Sequence, residues 1–231
     1  MVNVETNKER FNELVNSIGI EFDKDALFTF LENNDFYTAP ATSMYSYSYE
    51  GGLCQHCLDV YDTLKILCEL SGEVFEDDTI KLVGLFHDFY KVAYYEKSVV
   101  NKKIYSENGS KKDSGGRFDW VSIEGYKVRE APNRPLYGDN SFTSYMLLSK
   151  FIPLTDYETV AIINHNCGMD NSYSNKDLSH ILASNHLTVL LHSADMICTY
   201  GEKPLVMPVV EEPEDDTDGE LNEELTNQED E

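Results

Sequence analysis

The stretch Leu82-Val83-Gly84-Leu85-Phe86-His87-Asp88-Phe89-Tyr90-Lys91 decides how this chain is read. An apolar helical run that ends in two adjacent metal-ligating side chains is hard to explain by packing alone. Taken singly, such a pair is most simply a buried histidine hydrogen-bonded to a neighbour. Two other segments change that. Upstream, Gly51-Gly52-Leu53-Cys54-Gln55-His56 leads into Leu58, Val60, Leu64 and Leu67, the pattern of a helix that opens after a glycine pair and carries His56 in its first turns. Downstream, Leu187-Thr188-Val189-Leu190-Leu191-His192-Ser193-Ala194-Asp195-Met196-Ile197 reads as an apolar helix with one carboxylate in its middle. Burying an unpaired carboxylate is costly, so Asp195 is expected beside a cation or a strong donor. Three apolar helices thus carry His56, His87-Asp88 and Asp195 as an ordered set. Imidazole nitrogens mixed with carboxylate oxygens suit a divalent transition metal (Mn, Fe, Co, Ni or Zn) better than calcium, which prefers oxygen alone.

This ordered set resembles the HD-domain superfamily of metal-dependent phosphohydrolases, and within it a small single-domain subgroup of bacteria and phages. Lys91, three residues after Asp88, the Gly-Gly-Leu-x-x-His lead-in, the Ala194-Asp195 pair and His165 match further, so that the resemblance spans roughly residues 45–201. It implies an all-α fold, an HD-domain-like helical bundle. It also implies hydrolysis of a phosphate ester or anhydride of a nucleotide-sized substrate by metal-activated water, whose pKa falls from 15.7 towards about 7 on such an ion. By the same resemblance His56, His87, Asp88 and Asp195 hold one ion, and His165 with Asp139 offers room for a second. Asp139, after Gly138, stands where two-metal relatives place a histidine. Catalytic roles are implied for Asp88, Lys91 and His165. Lys91 occupies the position where some relatives have an acidic residue, which leaves Glu96, Asp139 and His165 as candidates for the general acid.

Length and composition agree with one sizeable core in 231 residues, set at 1–208, followed by an acidic tail at 209–231. The segment 211–231 holds twelve Asp or Glu and no Lys or Arg, the composition of a solvated, solubilising tail. No run of about 18 apolar residues can span a membrane. The N-terminus lacks a hydrophobic signal region, and five cysteines form no disulfide framework, so a cytoplasmic protein is expected. Cys54 and Cys57 make a C-x-x-C without the second pair that a zinc knuckle needs. A net charge of −24 disfavours extended nucleic acid as a ligand.

One region departs from the acidic balance. Residues 97–134 hold nine of the eighteen Lys and Arg against five acids, a local net of +4, whereas nine basic residues face twenty-five acids outside this insert and the tail. Asn108-Gly109 and Gly115-Gly116 are turn signals, and Arg117 to Tyr126 alternates like a short strand, so the insert is expected to be a loop with one β-hairpin. A basic loop beside a metal site would attract a phosphorylated substrate, with Lys91, Lys127, Arg129 and Arg134 as phosphate contacts. Trp120, Tyr126 and Tyr137 are either packing residues or stacking surfaces for a base. Further helices are expected at 7–17, 25–33, 141–151 (capped by Asn140) and 156–166, the last opened by a Thr155–Glu158 capping box and stopped at Gly168. The leading expectation is a phosphohydrolase whose partner is a phosphorylated small molecule. The alternatives are an exonuclease or phosphodiesterase on oligonucleotide ends, a catalytically idle metal-binding regulator and, more distantly, a dinuclear iron oxygenase.

Overall fold

Helix α3, Gly52–Ser71, is the element around which the helical part of the chain packs. Gly51 and Gly72, both in the left-handed region, bound it at either end. Eleven of its twenty residues are buried, more than a single apolar stripe gives, because α1 (Val4–Asn16), α4 (Asp77–Phe86) and α8 (His186–Tyr200) all lie against it. The computed structural model describes residues 3–44, 46–133, 141–167 and 174–201. Arg134, Tyr137, Asp139, Asn140, Gly168 and the tail at 209–231, all singled out above, lie outside the described residues.

The other helices follow local signals. Asn3 caps α1 by accepting from the amides of Glu5 and Thr6, and Asp23 caps α2 (Lys24–Asn33) through Ala26. Helix α5 covers Ser141–Leu148, and α6 (Asp156–Asn164) opens with the expected Thr155–Glu158 capping box. Helix α7 (Asn175–Ser184) was not foreseen, and it buries no residue fully. Phe11, Phe36, Phe86 and Phe89 interlock at the centre: Phe11 lies 4.7 Å from Phe36 and 5.5 Å from Phe86, and Phe86 lies 5.4 Å from Phe89, ring centre to ring centre. Phe86 and Phe89 flank His87-Asp88, so the core itself fixes where that pair points.

The expectation of an all-α bundle is wrong. The insert forms a three-stranded antiparallel sheet, β1 (Tyr95–Tyr105), β2 (Lys111–Asp113) and β3 (Gly116–Val128), in the order β1-β3-β2, and the fold is mixed α/β. Eleven consecutive residues of β1 pair with β3, from Tyr95 opposite Val128 to Tyr105 opposite Phe118. Only Tyr95 and Phe118 are buried in these strands. With both faces of this ribbon largely in solvent, the sequence carries no hydrophobic-in, polar-out alternation over 95–105, so the strand is longer than the short hairpin expected there. Cross-strand chemistry holds it instead: Glu96 pairs with Lys127 at 3.0 Å, and the Lys103 ammonium bonds Asp113 at 2.6 Å while lying over the Phe118 ring at 4.4 Å. Among the described residues, no helix is long and apolar enough to cross a membrane.

Candidate metal centre

Three helices deliver the predicted ligand set to one place. His56 comes from α3, His87 is the residue that ends α4, Asp88 leads into the short 3-10 turn Phe89–Lys91, and Asp195 lies on α8. One ligand atom from each of the four lies within 4.8 Å of all the others. His56 Nε2 stands 3.2 Å from Asp195 Oδ1, 3.3 Å from Asp88 Oδ2 and 3.2 Å from His87 Nε2. The approach of α3 and α4 depends on Gly84, where a Cβ would fall 2.9 Å from Tyr61 Cα. That contact lets the first turn of one helix and the last of the other bring two imidazoles together.

The backbone sets which nitrogens face the cluster. His87 Nδ1 lies 2.9 Å from the Gly84 carbonyl and His165 Nδ1 lies 2.8 Å from the Ile162 carbonyl. A carbonyl only accepts, so in both rings Nδ1 carries the hydrogen and Nε2 offers a lone pair. His165 is fully buried at the end of α6. Its Nε2 is 3.8 Å from Asp88 Oδ1, beyond hydrogen-bonding range, and is a buried polar atom without a partner. His56 Nδ1 is also buried without a partner, unlike the outer nitrogen of most ligating histidines, which donates to a carbonyl or carboxylate. Lone pairs of imidazole and carboxylate that converge out of water repel one another unless positive charge sits among them. The residues therefore fit a cation: the cluster of His56, His87, Asp88 and Asp195 can hold a metal ion, with the orphaned Nε2 of His165 at its edge.

Electrostatics point the same way. Burial pushes His87 down to about 4, in favour of the neutral ring that a ligand must be. Burial works against ionised Asp88, but the Lys91 ammonium and His87 outweigh it and hold the carboxyl well below its usual range. Asp195 is likewise depressed, burial being overcome by its bond to His56. His56, lowered by burial, is raised on balance by Asp195 and Asp88. The pocket thus keeps both carboxylates charged and draws positive charge to itself. Lys91 Nζ lies 2.5 Å from Asp88 Oδ2 and, although burial opposes its charge, that carboxylate holds its pKa well above the ordinary value.

The remaining sequence-predicted residues divide clearly. Lys91 is at the cluster. Lys127 is not among its contacts, being paired with Glu96 on the sheet, and Glu96 is thereby committed as well. Arg129 anchors the foot of the sheet: its Nε donates to the Tyr95 carbonyl at 2.8 Å and its Nη2 lies 3.4 Å from Asp35 Oδ2. Asp35 also accepts from the amide of Ala93, at 2.6 Å, and so ties the turn after Lys91 to the helical body. His180 and His186 are exposed, and His186 bonds Glu73. His192 bonds the His165 carbonyl at 2.7 Å and links α8 to the end of α6. Thr199, one turn after Asp195, orients that carboxylate, donating to Asp195 Oδ1 at 3.1 Å.

Sequence reasoning missed a second polar group beside the centre. Tyr47, in the Tyr- and Ser-rich loop before α3, places its ring 4.9 Å from that of His56 and donates to Asp59 Oδ2 at 2.9 Å. Gln55 donates to the other oxygen of Asp59 at 2.8 Å and accepts from Asn7 at 2.8 Å. The usable signal was Asp59 itself, three residues after His56 in an otherwise buried helix. The large surface hollows lie elsewhere. One of about 670 Å³ runs between Ile20, Glu76 and Pro153, and another of about 630 Å³ lies on the sheet. At the cluster itself, Asp195 and Lys91 are the most exposed groups, each with 15% of its side chain in solvent. Comparison with protein-family models, curated proteins and solved structures gave no match.

Proposed function

We propose that this chain is a metal-dependent phosphohydrolase that cleaves a phosphate ester or anhydride of a nucleotide-sized substrate. The observation that supports it most is the convergence of His56, His87, Asp88 and Asp195 from three separate helices, the first three buried and Asp195 nearly so, with their lone pairs turned inward. A divalent ion of the Mn, Fe, Co, Ni or Zn group, the class that mixed nitrogen and oxygen donors favour, would supply Lewis acidity and water made acidic enough to be a nucleophile near neutral pH.

Charge counting favours a phosphate. Two carboxylates balance one divalent cation, the imidazoles are neutral, and the Lys91 ammonium remains as a positive charge in a site largely shielded from water. Such a site attracts an anion. Lys91 serves twice in this reading: it keeps Asp88 ionised and, from the exposed side of the cluster, it meets a phosphate oxygen. His165, with Nε2 bare and Nδ1 fixed on Ile162, is placed to accept a hydrogen bond from a substrate or to join the donor set.

Metal analysis of the purified chain, followed by a phosphate-release screen over nucleoside mono-, di- and triphosphates, cyclic nucleotides and alarmones, tests the proposal. Retention of a transition metal and release of phosphate from one of these classes is the expected outcome. A chain that retains none of the five metals, or releases phosphate from no substrate with any of them, is not this enzyme.

A further inference from the structure

The three imidazoles at the centre are not held in the same way. His87 and His165 are each pinned from outside, with Nδ1 on the carbonyls of Gly84 and Ile162 at 2.9 and 2.8 Å. His56 has no such bond, its Nδ1 being buried without a hydrogen-bond partner. The plane of a ligating imidazole is ordinarily fixed by the hydrogen bond that its outer nitrogen makes. His56 therefore needs another restraint, and what lies against its ring is aromatic. The ring of His87, itself a ligand, stands 5.2 Å away; the ring of Tyr47 stands 4.9 Å away, tilted by 59°.

Tyr47 is gripped at both ends. It is buried, and its carbonyl accepts from the amide of Ala41 at 3.1 Å. A Cβ at Gly52 would fall 2.2 Å from that carbonyl oxygen, so a glycine in the first turn of α3 is what lets the loop sit on the helix. At the far end of the side chain the hydroxyl donates to Asp59 Oδ2 at 2.9 Å. Gln55 holds the other oxygen of Asp59 at 2.8 Å and is held in turn by Asn7 of α1. Gln55 precedes His56 and Asp59 follows it by three residues, so the helix that carries the ligand also clamps the tyrosine. We propose, on the metal-dependent reading above, that Tyr47 is a positioning residue: its ring, fixed through Gly52 and Asp59, sets the plane of the His56 imidazole in place of an outer hydrogen bond.

The test follows metal rather than turnover. Mn affinity, and the visible absorption of bound Co(II), which reports the geometry of its ligands, are measured on the full chain and on Tyr47→Phe and Tyr47→Leu. Tyr47→Phe keeps the ring and should bind Mn nearly as the parent does, with the same Co(II) spectrum. Tyr47→Leu removes the ring and should bind Mn about 10–100-fold more weakly, the loss typical of an outer restraint on a ligand, with an altered Co(II) spectrum. If Tyr47→Leu does not fold, Tyr47→Met, which fills the space without a ring, carries the same expectation. Leu27→Ala, a truncation in the core on α2, which bears no ligand, shows what lost packing alone does and should change neither measurement. A parent chain that holds metal while Tyr47→Leu matches it in affinity and spectrum overturns the proposal and leaves the metal centre standing. A change in Leu27→Ala as large as that in Tyr47→Leu reduces the effect to packing and also overturns it. Equal weakening of the Phe and Leu variants overturns the role of the ring in favour of the bond to Asp59. A parent chain that binds neither Mn nor Co(II) overturns the metal centre and this proposal together.

Discussion

Lys91 Nζ lies 2.5 Å from Asp88 Oδ2, with 15% and 4% of the two side chains exposed. Asp88 is also the meeting point of His56, His87 and His165, so one carboxylate stands between three imidazoles and Lys91. The pair is nearly dry, and in such a place the partner left behind by a substitution counts for more than the bond that is lost.

Lys91→Met should therefore cost about 3 kcal/mol of stability, the low end for breaking a buried pair, because Asp88 stays charged without its ammonium. Urea unfolding of the two proteins measures this. Turnover on the substrate found by the phosphate-release screen should fall as well. A variant as stable as the parent would mean that Lys91 is not what keeps Asp88 ionised.

Gly84→Ala tests the approach of α3 and α4. Its Cβ would meet Tyr61 Cα at 2.9 Å and Tyr61 Cβ at 3.1 Å, contacts that neither backbone can relieve without moving. The expected result is a loss of about 1–3 kcal/mol from overpacking, together with weaker metal retention as His87 is carried away from His56. Stability and metal content should fall together; retention of metal at full stoichiometry in a destabilised variant would separate the helix contact from the site.

Much of the site was legible because burying charge is expensive. An acid in the middle of Leu187 to Ile197 has few explanations, and His56, His87 and Asp88 stand in runs just as apolar. The sheet was less legible for the opposite reason. Burial along β1 alternates only between half-buried and exposed after Tyr95, too shallow to demand apolar residues on either face, and only the turn glycines and the stretch near Trp120 betrayed strand. Lys127 and Arg129 looked like phosphate contacts from local charge alone. Their partners, Glu96, Tyr95 and Asp35, are set by strand register and by a loop 94 residues distant from Arg129, which composition does not reveal.

His87→Ala and Asp195→Ala each remove one inward-facing ligand and leave the helix that bears it intact. Metal affinity should fall by more than the roughly 10–100-fold that loss of an outer partner produces, and turnover should vanish, while far-ultraviolet circular dichroism stays that of the parent. Full activity of either variant with added Mn would mean that the ligand set is wrongly assigned.

The cysteines report on whether the helices around the site open. Cys57 sits beside His56 on α3, and Cys198 on α8 faces Thr63 of α3, with Sγ 3.3 Å from Oγ1. Burial pushes the thiols of Cys54 and Cys198 up to about 12, those of Cys68 and Cys167 up to about 11, and that of Cys57 well above its usual value. The thiolate is the reactive form and an ordinary thiol titrates near about 8.5, so at pH of about 8 all five should react far more slowly with a disulfide reagent than free cysteine does. Cys167, only half-buried, is expected to react first, and unfolding should release all five at once. A rapid, stoichiometric reaction at Cys57 or Cys198 in the folded chain would show α3 and α8 parting on that timescale, and with them His56 and Asp195.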